Sequence, residues 1–524
     1  MSYFKKGGVF IMEQTKTFNV SRFINLLIGP TVFLLAYILM PSLTGISYAQ
    51  AGAIGTVFWM AYWWITGPVD YAVTGLLPIA INALFQIANK GDTDAFKTGM
   101  SDILSKYADS TIMLILGASL ITAAWGSIGL DRRIATRFLA LIGNKMRGQI
   151  AFWFILTTIL SAVLPNAVVC AAITPIAVSM LKFVGEGDIA TSKKASMILL
   201  TIAYGAGAGG LASPLGGAMN LTVINFINEI PGVTEFTYIN WFLKFLPIMI
   251  ILAVSNILFL IFFCKKDEAL EGSKEYFINE YKAMPKMSRE EVMSLIFFLV
   301  PTILSFAQPL YKKYLPGLQP AYLFIIFGIL SFLIKKKNGE RMMNWKLAER
   351  NVVWDMLYIF GGGLAIGAML KNSGADIVIG NLMESAGLTG GFLMILLIVT
   401  FTVIMSDVTS NTATAGIAIP IVIAMCGNGP ECIPYVFAAT IGVNLSYMLP
   451  TSIRAISVGY GLPPKFMLKK GVPLTVIVIA LMSVTAYLFM KTGFWAQTTF
   501  DWNLIGSTTA SFFKDIWTSV VSIF

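Results

Sequence analysis

Residues 246–263 read LPIMIILAVSNILFLIFF, a run with no charged residue. As a helix it rises about 1.5 Å per residue, enough to cross most of a hydrocarbon core about 30 Å thick. Similar runs recur along the chain, among them LIGPTVFLLAYILM at 27–40. Inside a bilayer every backbone polar group must be satisfied within the protein, so such runs can only become spanning helices or parts of a closed helical bundle. Only 12% of the residues are charged, about half of what soluble domains carry. The alternating ten-residue segments of a β-barrel are not found. The expectation is an all-α polytopic membrane protein.

The apolar segments fall at 22–40, 52–67, 70–89, 109–128, 148–164, 167–184, 195–212, 218–230, 240–264, 291–310, 319–335, 352–370, 388–405, 412–426, 433–450, 454–462 and 470–490. Four neighbouring pairs are separated by a few polar or small residues: LPN near 165, ASPLGG at 212–217, SDVTSNTAT at 406–414 and TSIR at 451–454. Unsatisfied polar groups at membrane depth cost several kcal/mol. Each cluster must therefore be buried in protein, line a cavity or bind something. Lys and Arg collect in MSYFKK, DRRIATR, NKMR, SKK, the 265–290 segment, KKKNGERMMNWK and PPKFMLKK. All of these lie on one side if 148–184 and 388–426 are hairpins that enter and leave by the same face, while 195–230 and 433–462 each cross once as an interrupted helix. The reading is about eleven transmembrane helices plus two re-entrant helical hairpins, in a multi-pass cell-membrane protein with its N-terminus in the cytoplasm and its C-terminus outside.

The chain also repeats. LILGASLITAAWGSIGLDRRIA at 114–135 resembles YIFGGGLAIGAMLKNSGADIVIG at 358–380. Further on, LPNAVVCAAITPI aligns with TSNTATAGIAIPI, setting Asn166 opposite Asn411 and Pro175 opposite Pro420, and ASPLGGAMN stands opposite MLPTSIRAI. Under the charge-derived topology the two units are inverted. Inverted repeats with interrupted helices mark secondary transporters, and paired breaks point to the binding site. Each break begins a new half-helix whose unpaired N–H groups favour an anion. Asn166 and Asn411 are expected as N-caps. Gly216, Gly217, Ser410, Thr412, Thr451, Ser452 and Arg454 complete the expected substrate-binding set, with Ala167 at the first tip and Asp407 as a charge partner.

Other chemistries find little support. There is no histidine, and no paired-carboxylate metal motif, nucleophile–base pair or phosphate-binding loop, so an enzyme or an ATP-driven pump is not expected. Cys170, Cys264, Cys426 and Cys432 lack zinc spacing and read as unpaired thiols. The net charge of +10 is positive-inside bias in loops, not a nucleic-acid surface.

On these motifs the chain resembles the divalent anion:sodium symporter family, in its dicarboxylate transporter and exchanger branch. TSNTATAGIAIPI is similar to that family's Ser-Asn-Thr hairpin tip, Asp407 falls where an acidic residue is usual, and WDMLYIFGGGLAIGAML, AYGAGAGGLASPLGGAMNL and GLDRRIA resemble other family blocks. The resemblance implies a homodimeric elevator carrying small anions across the lipid bilayer, with a scaffold and a transport domain and no cofactor. It divides the chain into a cytoplasmic N-terminus (1–20), scaffold (21–145, with a connecting helix about 130–145), transport domain (146–265) and cytoplasmic loop (266–290). Scaffold (291–387, with a connecting helix about 373–386), transport domain (388–490) and an extracytoplasmic C-terminal segment (491–524) follow. In the family the two tips contact carboxylates and help hold two sodium ions.

Two departures stand out. The first tip is Pro165-Asn166-Ala167, without the family's hydroxyls, and Ile453-Arg454-Ala455-Ile456 replaces a Thr-Pro-Pro-Asn stretch. An arginine at membrane depth is costly and marks function by default, with pairing to Asp407 or snorkelling toward Lys465 as structural alternatives. A guanidinium at the second tip would supply the charge that sodium supplies in relatives. Fewer hydroxyls weaken a hard-cation site, leaving at most a residual sodium site at Ser161, Asn166 and Ser213. The expected function is sodium-independent exchange of C4–C6 di- and tricarboxylates. A sodium-coupled dicarboxylate or sulfate symporter is the alternative, and another ion antiporter of the same superfamily a remote one.

Overall fold

The computed structural model describes residues 5–6, 9–10, 20–89, 93–336, 339–352, 354–385, 390–427 and 429–499. Most of the expected N-terminal segment 1–20, and residues 500–524 of the C-terminal one, lie outside them. Apart from a two-residue strand pair, Lys5–Lys6 with Val9–Phe10, the described regular structure is helical. Seven described helices are long and apolar enough to cross a membrane by length and composition. The protein is a polytopic helical membrane protein.

The two expected hairpins form. The first joins Met146–Val163 to Asn166–Phe183, and the second joins Gly391–Val408 to Asn411–Met425. The interrupted helices form as well: Lys193–Gly210 followed by Ala218–Asn228, and Ile433–Asn444 followed by Arg454–Gly459. Proline and glycine set these boundaries. Pro165 cannot continue the helix before it but suits the start of the next, and the ASPLGG stretch offers neither side-chain packing nor helix propensity.

The inverted repeat is visible at atomic detail. Thr157 Oγ1 bonds the Trp153 carbonyl (2.8 Å), and Thr402 Oγ1 bonds that of Ile398 (2.7 Å). Each hydroxyl lies against a glycine of the neighbouring interrupted helix, Gly205 or Gly442, where no Cβ could fit. One turn on, Ser161 Oγ donates to the Ala206 carbonyl and Ser406 Oγ to that of Val443, both at 2.7 Å. These contacts lock each hairpin to its own interrupted helix along a seam of small residues.

Around this core pack Val20–Thr44 with Tyr48–Thr66, Ser110–Ala123 with Pro320–Ser331, and Trp354–Ser373 with the second hairpin. In the last pair Gly363 and Gly416 bring two backbones together; a Cβ on Gly363 would lie 2.9 Å from the Gly416 Cα. The connecting segments become Leu130–Leu139 and Ala375–Ser385. The polar segments contain two helices that composition alone does not announce, Thr93–Ser105 and Ser273–Ala283. The described part of the C-terminal segment packs onto the body of the protein. Trp495 is fully buried against Phe245, Phe437 and Phe489, and the Phe494 carbonyl accepts from Lys244.

Candidate functional site

The four breaks meet in one continuous network. At the first tip the Asn166 N–H donates to the Gly216 carbonyl (2.9 Å), fixing the hairpin turn on the gap in the first interrupted helix. A Cβ on Gly216 would strike the Ser161 carbonyl oxygen, so only glycine allows this approach. Asn220 Nδ2 then donates to the carbonyls of Gly210 (2.7 Å) and Ser213 (2.8 Å), and Asn220 Oδ1 accepts from Asn444 (3.0 Å). That last bond joins the two interrupted helices. Ser446 Oγ donates to Asn411 Oδ1 (3.4 Å) and carries the network to the second tip.

Asp407 anchors the second break. It is fully buried, and its Oδ1 accepts from the backbone N–H groups of Met448 (2.9 Å) and Leu449 (3.4 Å). Thr451 Oγ1 donates to the Asp407 carbonyl (2.9 Å). Next to it Ser452 adopts φ of +52°, a left-handed conformation that costs a non-glycine residue roughly 1–2 kcal/mol. Such strain collects at functional sites.

The tip caps differ from expectation by one residue. Ser410 is the N-cap of the second tip, its Oγ accepting from the Ala413 N–H (3.1 Å), and Pro165 holds that position at the first. Asn166 and Asn411 are the first helical residues. An N-cap needs extended backbone and a short acceptor, which Ser410 supplies. Asn411 is thereby released for other work: its Oδ1 accepts from Ser406 Oγ (3.0 Å), and its buried Nδ2 has no protein partner.

Arg454 departs further. It is 1% exposed, which removes snorkelling toward Lys465; it makes no direct ion pair with Asp407 within 4 Å, yet Asp407 lies close enough for its charge to act on the guanidinium. Its short helix packs on Asn166–Phe183 and Lys193–Gly210, and a Cβ on Gly207 would come within 2.7 Å of its Nη2. Cys170 and Tyr204 lie close enough to feel its charge. Asp407 and Tyr447 of the second break also lie close enough to feel its charge, so the guanidinium stands between the first hairpin and the second break. Arg454 Nε and Nη1 have no acceptor among the described residues. With Asn411 Nδ2 they are buried donors suited to carboxylate oxygens.

The remaining expected residues fall around this centre. Asn166, Ala167, Ser410, Thr412 and Thr451 are half-buried, Gly216, Gly217 and Ser213 are buried, and Ser452 is exposed. Sequence reasoning missed Asn220 and Asn444, although an asparagine within a few residues of each break is itself a signal. Ser161 Oγ is bonded to Ala206, Ser213 Oγ accepts from the Gly216 N–H (3.1 Å), and the Gly210 and Ser213 carbonyls already hold the Asn220 amide. A hard cation takes several oxygens, and Ser161 Oγ, which donates, and the two carbonyls, which each accept one of these bonds, keep lone pairs.

The family model for the sodium:sulfate symporter transmembrane region matches residues 21–495. The chain belongs to this family. Among curated relatives, the sodium-dependent dicarboxylate transporter SdcS of Staphylococcus saprophyticus is 26% identical over 466 residues, covering 86% of this chain and 87% of the relative. The SdcS protein of Staphylococcus aureus is 25% identical, covering 88% of each. Among solved structures, the YdaH transporter of Alcanivorax borkumensis aligns with a TM-score of 0.54 over 81% of this chain and 98% of that one, at 12% identity. That likeness shows the fold alone. As a member of the symporter family the chain is a membrane transport protein.

Proposed function

We propose that this transporter exchanges C4–C6 dicarboxylates, without sodium, by an elevator movement of the hairpins and interrupted helices against a dimeric scaffold. The relatives named as dicarboxylate transporters support the substrate class. The observation that carries the reading is Arg454, a buried guanidinium between the first hairpin and the second break with two nitrogens lacking acceptors among the described residues. One substrate carboxylate lies on Arg454 and Asn166, the other on the second tip with Asn411 Nδ2 and the hydroxyl of Thr412. The fixed charge replaces the positive charge that sodium brings in the relatives.

Exchange follows from the same charge. A guanidinium with unmet donors resists crossing when no anion accompanies it. The loaded carrier moves and the empty one does not. The smooth glycine contact of Gly363 with Gly416 is where hairpin and scaffold slide past each other. Exposed contacts such as Lys106 with Glu229 (2.8 Å) and Lys312 with Glu235 join the two parts in this state and would break on movement. The N-terminus is cytoplasmic and the C-terminus outside.

Counterflow in proteoliposomes tests this reading. Labelled succinate should enter vesicles preloaded with dicarboxylate at the same rate in sodium and in choline, and should not enter substrate-free vesicles. Strong sodium-stimulated uptake into substrate-free vesicles would instead establish a sodium-coupled symporter, the reading that the relatives' names favour.

A further inference from the structure

The C-terminal end of the long helix Tyr238–Phe262 gathers an unusual set of cations. Lys193 Nζ donates to the Phe263 carbonyl (3.1 Å), and Arg147 Nε and Nη2 both donate to the Cys264 carbonyl (3.3 and 3.1 Å). Basic groups at a helix C-terminus are favoured by the helix dipole. Lys470 arrives from the neighbouring helix Pro464–Lys491 and sits 3.0 Å above the Phe263 ring. It is only 8% exposed, yet Lys193 and Lys469 are close enough to repel its charge. Lys265 and Lys266 follow directly in the chain.

None of these six cations forms an ion pair among the described residues. Glu268 faces the cluster, but its carboxylate turns back to the Lys265 N–H (3.1 Å), and the neighbouring Lys194 is taken by Glu186 (3.1 Å). Asp267 is exposed beside it. Four positive charges remain in excess. Positive-inside bias accounts for lysines in loops. It does not account for their convergence on one helix end, nor for a lysine buried among like charges.

Below the cluster the two helices pack together and present an apolar face. Phe262, Leu258, Val472 and Val476 are all exposed there. Cations at the membrane interface above a lipid-facing apolar strip match an anionic phospholipid, with its headgroup on the charges and its chains along the strip. We infer that Arg147, Lys193, Lys469 and Lys470 form a binding site for an anionic phospholipid such as phosphatidylglycerol. Both helices belong to the part of the chain assigned to movement, so this lipid would travel with it.

Native mass spectrometry of the full-length protein, delipidated and offered equimolar phosphatidylglycerol and phosphatidylcholine with identical chains, tests the site. The wild type should retain phosphatidylglycerol preferentially. Lys193→Gln with Lys469→Gln should weaken that retention about 30-fold, given the roughly 1 kcal/mol that each interfacial lysine contributes. Lys335→Gln with Lys336→Gln, in another basic loop, should leave it unchanged. Equal retention of the two lipids by the wild type, equal loss in both variant pairs, or displacement of the lipid by millimolar inorganic phosphate would overturn the site. If the first pair lowers the melting temperature, Lys469→Gln alone is the deciding variant, since its exposed side chain makes no hydrogen bond to the backbone.

Discussion

The two hairpin tips share one frame and differ in chemistry. The frame is the pair of threonine and serine contacts, Thr157 and Ser161 in the first hairpin, Thr402 and Ser406 in the second, each threonine lying against a glycine and each serine donating to a backbone carbonyl of its interrupted helix. On that frame the second tip carries Asp407, Ser410, Thr412 and Thr414, where the first has Ala162, Pro165, Ala167 and Val169. Much of the second tip's polarity serves the tip itself. Ser410 caps its helix, Thr409 and Thr414 bond each other (2.9 Å), and Asp407 holds the following break. The first tip has none of these side chains. Geometry is held by small residues and backbone hydrogen bonds, so ligand chemistry can change on one side without disturbing the other.

The strongest way to break this comparison is to remove the charge. Arg454→Gln should lower dicarboxylate counterflow on the order of 100-fold, in line with the 2–5 kcal/mol typical of truncating a buried charge that meets its partner. Asn166→Ala should cost less, because its backbone N–H, not its side chain, holds the turn. A wild-type rate for the Arg454→Gln variant in the same assay would make the arginine structural. Rebuilding the first tip as Pro165→Ser with Ala167→Thr in the Arg454→Gln background should bring sodium-stimulated uptake where neither parent shows it.

Gly207→Ala probes the charge more gently. The added methyl would lie 2.7 Å from Arg454 Nη2, the far end of a flexible side chain, so the guanidinium moves while the fold survives. Counterflow should fall about tenfold, a shift of roughly 1.4 kcal/mol, with an unchanged melting temperature. Gly216→Ala acts on backbone instead, since its methyl would strike the Ser161 carbonyl. It should lower stability by about 1–3 kcal/mol, seen as a lower melting temperature in detergent.

Much of this was legible in the sequence. Hydropathy breaks and Lys/Arg placement located both hairpins and both interrupted helices to within a few residues, because bilayer thickness and the expense of unpaired backbone leave few choices. The repeat alignment placed Asn166 opposite Asn411, and the two side chains do stand at equivalent positions. The room that Gly207 leaves for the Arg454 guanidinium was not legible. A short helix can direct a long side chain either way, and Gly207 makes room for it from a different repeat unit. The caps were misread by one residue because Pro165 cannot cap through a side chain, which hid the equivalence of its position with Ser410. Asn220 and Asn444 looked like ordinary helix residues until the two breaks were brought together. The burial of Trp495 depends on three aromatic partners from distant segments.

Ser410→Ala sharpens the comparison at smaller scale. The second tip uses this hydroxyl as a cap and the first has no side-chain cap, so the substitution makes the two starts alike. Loss of the cap should cost about 1 kcal/mol. Thermal unfolding in detergent should show that loss, and an unchanged midpoint would mean that the cap contributes nothing there.

The smallest expected effect separates the two breaks. The first turns on Gly216 and Gly217, neither of which has positive φ, and the second on Ser452 at φ of +52°. Glycine adopts that conformation without a Cβ clash, whereas a β-branched residue there is an outlier. Ser452→Gly should therefore raise the melting temperature slightly, by the equivalent of about 0.5–1 kcal/mol, because strain relief exceeds the added entropy of the unfolded chain. Ser452→Val should lower it by at least as much. Neither side chain loses a buried contact, since Ser452 is exposed, so the difference between the two variants isolates backbone strain. Equal melting temperatures for glycine and valine at this position would show that the second break relaxes out of the left-handed conformation at no cost, and the two breaks would then differ in sequence but not in strain.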